Sequence, residues 1–214
     1  MVELAARDAA RGSIGAGTFR HRVGGDALAF ALVLEPEVDR DRPIEMRPLA
    51  QVAIGEGLAA VAPPETELRH DWQGRIWVNG AVCGAVECIA DETASPPAWL
   101  VIGARLALAG RGEPGRHADR STLEDEMGAF DPLAAIEAVA RSIVGWLYRW
   151  ETEGFAPVAR EWTARRLPGD TVEVEGVAHR FLGLADHGDL LTEDVDGRRV
   201  ITPVRTLWLA GQAR

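Results

Sequence analysis

Residues 71–87 read Asp71-Trp72-Gln73-Gly74-Arg75-Ile76-Trp77-Val78-Asn79-Gly80-Ala81-Val82-Cys83-Gly84-Ala85-Val86-Glu87. Two apolar, β-prone runs flank Asn79-Gly80, and Asn-Gly between such runs is a strong hairpin signal because both residues tolerate positive φ. Arg75 to Val78 and Ala81 to Ala90 are therefore expected as paired strands, with Glu67 to Trp72 before them and Trp99 to Leu108 after them.

Upstream, a short helix is expected over Val2 to Ala10, then strands over Gly17 to His21 and Ala27 to Leu34 joined at Gly24-Gly25-Asp26. From Ile44 to Ala62 apolar residues recur at helical spacing and Pro63-Pro64 ends the run, which predicts an amphipathic helix lying on the sheet. Downstream, Gly110 to Arg120 reads as an exposed loop, and Asp131-Pro132 opens a helix running to about Glu153, with Asp131 as N-cap and Pro132 in the first turn. A shorter helix over Ala156 to Arg165 leads to a boundary at Pro168-Gly169-Asp170. Five short strands follow, at Thr171–Glu175, His179–Leu184, Leu190–Glu193, Arg199–Ile201 and Thr206–Leu209. Their turns suggest a small antiparallel barrel of SH3-like size. The expected class is α+β: a mixed or antiparallel sheet with packed helices over residues 1–166, and the small SH3-like β-barrel over 167–214.

Composition sets limits. Among 214 residues all 23 basic side chains are arginine, and no lysine occurs. Schiff-base chemistry and a Walker-type phosphate lysine are thereby excluded, since a guanidinium keeps its charge and is no amine nucleophile. A net charge of −10 argues against a nucleic-acid surface, because phosphate neutralisation needs a positive field. No apolar stretch reaches membrane-spanning length and residues 1–13 lack a signal-peptide core, so a cytoplasmic protein is expected. Cys83 and Cys88, five apart in one strand, have no partner cluster at metal-ligand spacing and read as reduced structural thiols.

The order of elements and the quoted hairpin resemble the biotin/lipoate A/B protein ligase family. Asp71 to Gly80 resembles that family's K-W-P-N-D hairpin, and Ala81 to Glu87 its K-x-A-G-I-hydrophobic-x-E strand. Trp99 to Gly103 is similar to the start of its G-I-G-x-N-x-N strand, Ser121-Thr122-Leu123 to its T-S-L helix opening, and Trp150 to Pro157 with Glu161-Trp162 to its linker. The resemblance implies a pocket between sheet and hairpin lined by Trp72, Gly84 and Gly103, for a small biotin- or lipoate-like carboxylate. It implies an acceptor protein as partner, a homodimer through sheet edges, and a further strand and S-T-N helix ahead of Val2.

The family's reacting residues do not carry over. Asp71 stands at the hairpin lysine, Arg75 at the acidic position, Ala81 at the lysine that contacts carboxylate and phosphate, and Arg105 at the second glycine. The G-R-G-R-x-G-R loop that folds over the acyl-adenylate is missing between Arg22 and Ala27, leaving Arg20 and Arg22 as its remnants, or as a solvated strand face. Losing one preorganised donor from such a site costs about 3 kcal/mol of transition-state stabilisation. Two readings follow. One is a catalytically degenerate member that keeps a small-carboxylate-binding or protein-interaction role. The other is an active ligase that forms an acyl-adenylate from ATP with magnesium, using Arg75 and Arg105 in the lysine's place, and attaches the acid to an acceptor lysine.

Other groupings read as structural. Ser13, His21 and Asp26 lack a nucleophile elbow; His70-Asp71 fits a hydrogen-bonded strand histidine better than an acid-base pair. Glu124 to Glu126 suit a helix start, Trp146 and Trp150 pack on one helical face, and His117, His179 and His187 are expected to be solvated.

Overall fold

A computed structural model describes residues 1–37, 42–91, 93, 96–110, 120–169, 171–174, 176–185 and 188–203. Its large sheet has six antiparallel strands: β1 (Phe19–Gly24), β2 (Ala27–Leu34), β3 (Leu68–His70), β4 (Arg75–Val78), β5 (Ala81–Ala90) and β6 (Leu100–Ala107), in the order β1-β2-β6-β5-β4-β3. The central strands β2 and β6 pair over their whole length, from Ala27↔Ala107 to Leu34↔Leu100. Asn79 takes φ 48° and Gly80 φ 86°, the left-handed pair that a two-residue hairpin turn demands. Gly24 pairs directly with Ala27, so β1 runs into β2 through the two-residue turn Gly25-Asp26.

Alternation along each strand divides the sheet into two faces. Leu28, Phe30, Ile76, Val78, Leu100 and Leu106 point into the main core. That core is roofed by α2 (Met46–Ala59), α4 (Pro132–Glu153) and α5 (Ala156–Ala164). Ala31, Val33 and Val101 point the other way, against α1 (Val2–Ala10).

The expected amphipathic helix is corrected in one respect. α2 is buried on nearly every side, including Ala50, Gln51, Val52, Ala53 and Ile54, because α4 covers the flank away from the sheet. Gly57 permits this: a Cβ there would lie 2.5 Å from the Val139 Cα of α4. α4 begins as the sequence predicts, with the Asp131 carboxylate accepting from Leu133 N at 2.9 Å. The short helix α3 (Leu123–Met127) is capped by Thr122, whose hydroxyl accepts from Asp125 N at 3.2 Å.

A second antiparallel sheet is built from β7 (Thr171–Val174), β8 (Val177–Leu184), β9 (Leu190–Glu193) and β10 (Arg199–Thr202), in the order β10-β9-β8-β7. The expected strand over 206–209 and the histidines 117 and 187 lie outside the described residues. His179 is not solvated as expected: the alternation of β8 turns it inward, where it is 9% exposed and Nδ1 lies 3.3 Å from Thr192 Oγ1. The two sheets share a core, with Val172, Phe181 and Leu190 clustered with Trp162 of α5.

Candidate functional site

Register assembles the site. Arg75 lies opposite Ala85, Ala85 opposite Arg105, Arg105 opposite Ala29, and Ala29 opposite Arg22. Residues directly across from one another share a face, so arginines on β4, β6 and β1 form one row with alanines on the strands between. The row lies on the face away from α2 and α4. On a protein of net charge −10, it concentrates positive potential at one place.

Between this row and the start of α1 is a cavity of about 330 Å³, lined by Met1, Val2, Leu4, Arg22, Ala27, Ala29, Glu87 and Arg105 among others. The alanines give a flat apolar floor, Val2 and Leu4 an apolar wall, and Arg22 and Arg105 the charge. A volume of this size with an apolar lining and few polar groups suits a small ligand. Among the described residues Arg105 keeps only a long contact to Asp26, 3.4 Å, and its side chain is 59% exposed, so it is available to an incoming anion.

Arg75 is held differently. Asp71 is fully buried, and its carboxylate accepts from Arg75 Nε at 2.5 Å, from the Arg75 amide at 3.1 Å and from Trp77 Nε1 at 2.8 Å. The guanidinium also lies 5.1 Å from the Trp77 ring centroid. Asp71 thus fixes the hairpin and ties Arg75 back from the cavity.

The three residues expected to line a common pocket do not meet. Trp72 faces the small sheet, donating to the Thr171 carbonyl at 3.0 Å, beside a cleft of about 20 Å³. Gly84 and Gly103 serve close approach: a Cβ on Gly84 would lie 2.4 Å from the Arg105 carbonyl oxygen, and one on Gly103 would lie 2.2 Å from the Phe30 carbonyl oxygen and 2.6 Å from Val2 Cγ2. Arg20 is taken up by Asp8 of α1 at 2.6 Å, whereas Arg22 reaches the cavity. Sequence reading missed Glu87, Ala29 and Ala85, because only strand pairing puts them beside the arginines.

The remaining polar groups are structural. His70 is 2% exposed, and its Nε2 donates to the Trp162 carbonyl at 2.8 Å. Burial, partly offset by that bond, lowers its pKa to about 4. Burial pushes both thiols up to about 12, so Cys83 and Cys88 stay protonated. The Trp146 indole donates to Glu56 at 2.7 Å and that of Trp150 to the buried Glu45.

This fold is a known one. The sequence profile of the biotin/lipoate A/B protein ligase family matches residues 1–164. The chain belongs to this family. It is 25% identical over 196 residues to a biotin–[acetyl-CoA-carboxylase] ligase of Paracoccus denitrificans, covering 86% of this chain and 80% of that one. A crystal structure of a biotin protein ligase-like protein of unknown function from Silicibacter sp. TM1040 matches with a TM-score of 0.85 and 31% identity, over 96% of this chain and 90% of that chain. The Aquifex aeolicus biotin protein ligase superposes with a TM-score of 0.72 at 17% identity, over 87% of this chain and 86% of that one. The chain spans 58% of the bifunctional ligase/repressor BirA of Bacillus spizizenii, at 24% identity.

The lining of this family member's cavity supplies one carboxylate, Glu87, beside the guanidinium-bearing Arg22 and Arg105, so these side chains alone do not complete the octahedral oxygen array that magnesium asks for. Among the described residues no group of three or more His, Cys, Asp or Glu side chains converges as a metal site.

Proposed function

We propose that this chain is a non-ligating member of the biotin/lipoate ligase family that binds a small carboxylate on the open face of its large sheet. The observation that carries this reading is the arginine row over alanines, open to solvent at Arg105 and Arg22. Guanidinium binds carboxylate through two parallel N–H donors, and the bond strengthens in a partly dry cavity.

Adenylation has little support at the same place. Ala81 stands where the family lysine contacts carboxylate and phosphate, and the hairpin lysine is replaced by a buried, fully engaged Asp71. No lysine elsewhere in the sequence can substitute. Residues 167–214 are read as a small SH3-like barrel that adds a surface for a protein partner. No helix of the described residues is long and apolar enough to cross a membrane.

Titration calorimetry against biotin, lipoate and octanoate, with and without ATP and magnesium, tests the proposal. Binding of at least one acid that Arg105→Ala weakens, with no AMP release, is the expected result. Acid-dependent AMP release from ATP would establish the active-ligase reading instead, and no binding of any acid would remove the small-carboxylate role.

A further inference from the structure

Building on that carboxylate site, we infer that the ligand is an elongated acid with an anionic group at each end, and that it is bound without a divalent cation. Arg22 and Arg105 both line the cavity and sit two strands apart, with Ala29 between them in register. Two strand spacings place their Cα atoms about 10 Å apart. A single carboxylate occupies one guanidinium fork and leaves the other at solvent. An acid with an anion at each end engages both, while its apolar middle lies on Ala29 and Ala27 under Val2 and Leu4.

Two further observations narrow the ligand. Among the described residues no ion pair to Arg22 forms, and Arg105 has only its long contact to Asp26, so an anion displaces little when it binds. Arg75, third in the row, is committed to Asp71 and Trp77, so among the described residues the charged side chains that line the cavity are Arg22, Arg105 and Glu87. Charge alone then disfavours a divalent cation beside the guanidinium groups. Arginine at position 75, which the resemblance sets where the family carries an acid, makes the same change of sign two strands away from Arg105.

The test compares azelate with nonanoate, its one-carboxylate counterpart, by titration calorimetry in EDTA and again in magnesium. Azelate is expected to bind about tenfold or more tightly than nonanoate, the advantage of one extra charge-assisted contact, equally in both buffers. Arg22→Ala should erase the advantage while leaving nonanoate bound, and Arg105→Ala should weaken both acids. Arg180→Ala, which removes an exposed charge on the small sheet, should change neither. All three substitutions replace exposed side chains, and matched thermal melts verify folding. Equal affinity for the two acids would overturn the two-anion inference while leaving the carboxylate site standing. A strict magnesium requirement would overturn its metal-free part, and binding of neither acid would take down both the inference and the site.

Discussion

Gln51 and Trp162 stand 111 positions apart and share a 2.8 Å hydrogen bond from the indole to the amide oxygen. Trp162 also stacks on His70 at 4.8 Å and meets Phe181 of the small sheet edge-on at 5.4 Å. The Gln51 amide nitrogen donates to the carbonyls of Asp71, 2.9 Å, and Arg75, 3.3 Å. One buried side chain on α2 therefore ties α5 to the turn that carries the hairpin.

Replacing Gln51 with Met keeps the volume and removes every one of these bonds. The carbonyls of Asp71 and Arg75 keep backbone donors, but the buried Trp162 indole is left unpaired at about 1 to 3 kcal/mol, so Gln51→Met should lose about 2 kcal/mol in urea unfolding followed by tryptophan fluorescence. A loss below about 0.5 kcal/mol, the range of an ordinary surface change, would show that the network carries no stability.

Asp71→Asn should destabilise the fold by about 3 kcal/mol, since the amide loses the buried charge and turns an NH2 donor, in place of one acceptor oxygen, on donors from Arg75 or Trp77. Asp71→Lys, which puts back the family's residue type, should fail to yield soluble folded protein, because the ammonium would face the Arg75 and Trp77 donors. A folded Asp71→Lys protein that releases AMP would contradict this expectation and the non-ligating reading together.

Gly103→Ala forces a methyl against the Phe30 carbonyl and the Val2 side chain. Overpacking of this kind costs about 1 to 3 kcal/mol. Because Val2 walls the cavity, acid binding should weaken alongside stability; unchanged calorimetric titrations would place the ligand elsewhere.

His70 sets a pH dependence. Its folded pKa, lowered to about 4, lies below the unfolded value of about 6.5. Between these values the unfolded chain binds more protons, so stability rises with pH there. The contribution is complete above about pH 6.5 and is lost as pH falls towards 4, amounting to about 3 kcal/mol across the window. Denaturant titrations at neutral pH and near pH 5 should show a steeper loss in the wild-type protein than in His70→Gln; parallel losses would reject the assignment.

Several features of the chain were written locally and could be read that way. The Asn79-Gly80 turn, the Asp131-Pro132 helix start and the bounds of β4 and β5 follow from φ preferences, capping and alternation, which act over a few residues. The absence of lysine and the identities of Asp71 and Arg75 in the hairpin are likewise plain in the sequence. Burial of α2 on its second flank was not legible, since its apolar spacing fits a half-covered helix and only Gly57 meeting Val139 brings α4 down on it. The same holds for His179, turned inward by the pleat of β8.

The sequence by itself determined which side chains were available: arginines without lysines, a hairpin with Asp71 and Arg75, and the short Gly24-Gly25-Asp26 turn between two strands. The tertiary structure decided which of them act together. Arg22, Arg105 and Arg75 are scattered along the chain, and strand pairing alone sets them in one row with Ala29 and Ala85 between. A buried carboxylate then withdraws Arg75 and leaves the other two facing the cavity. Register is a property of pairs of strands, and burial of the whole packed chain, so neither is written in any one segment.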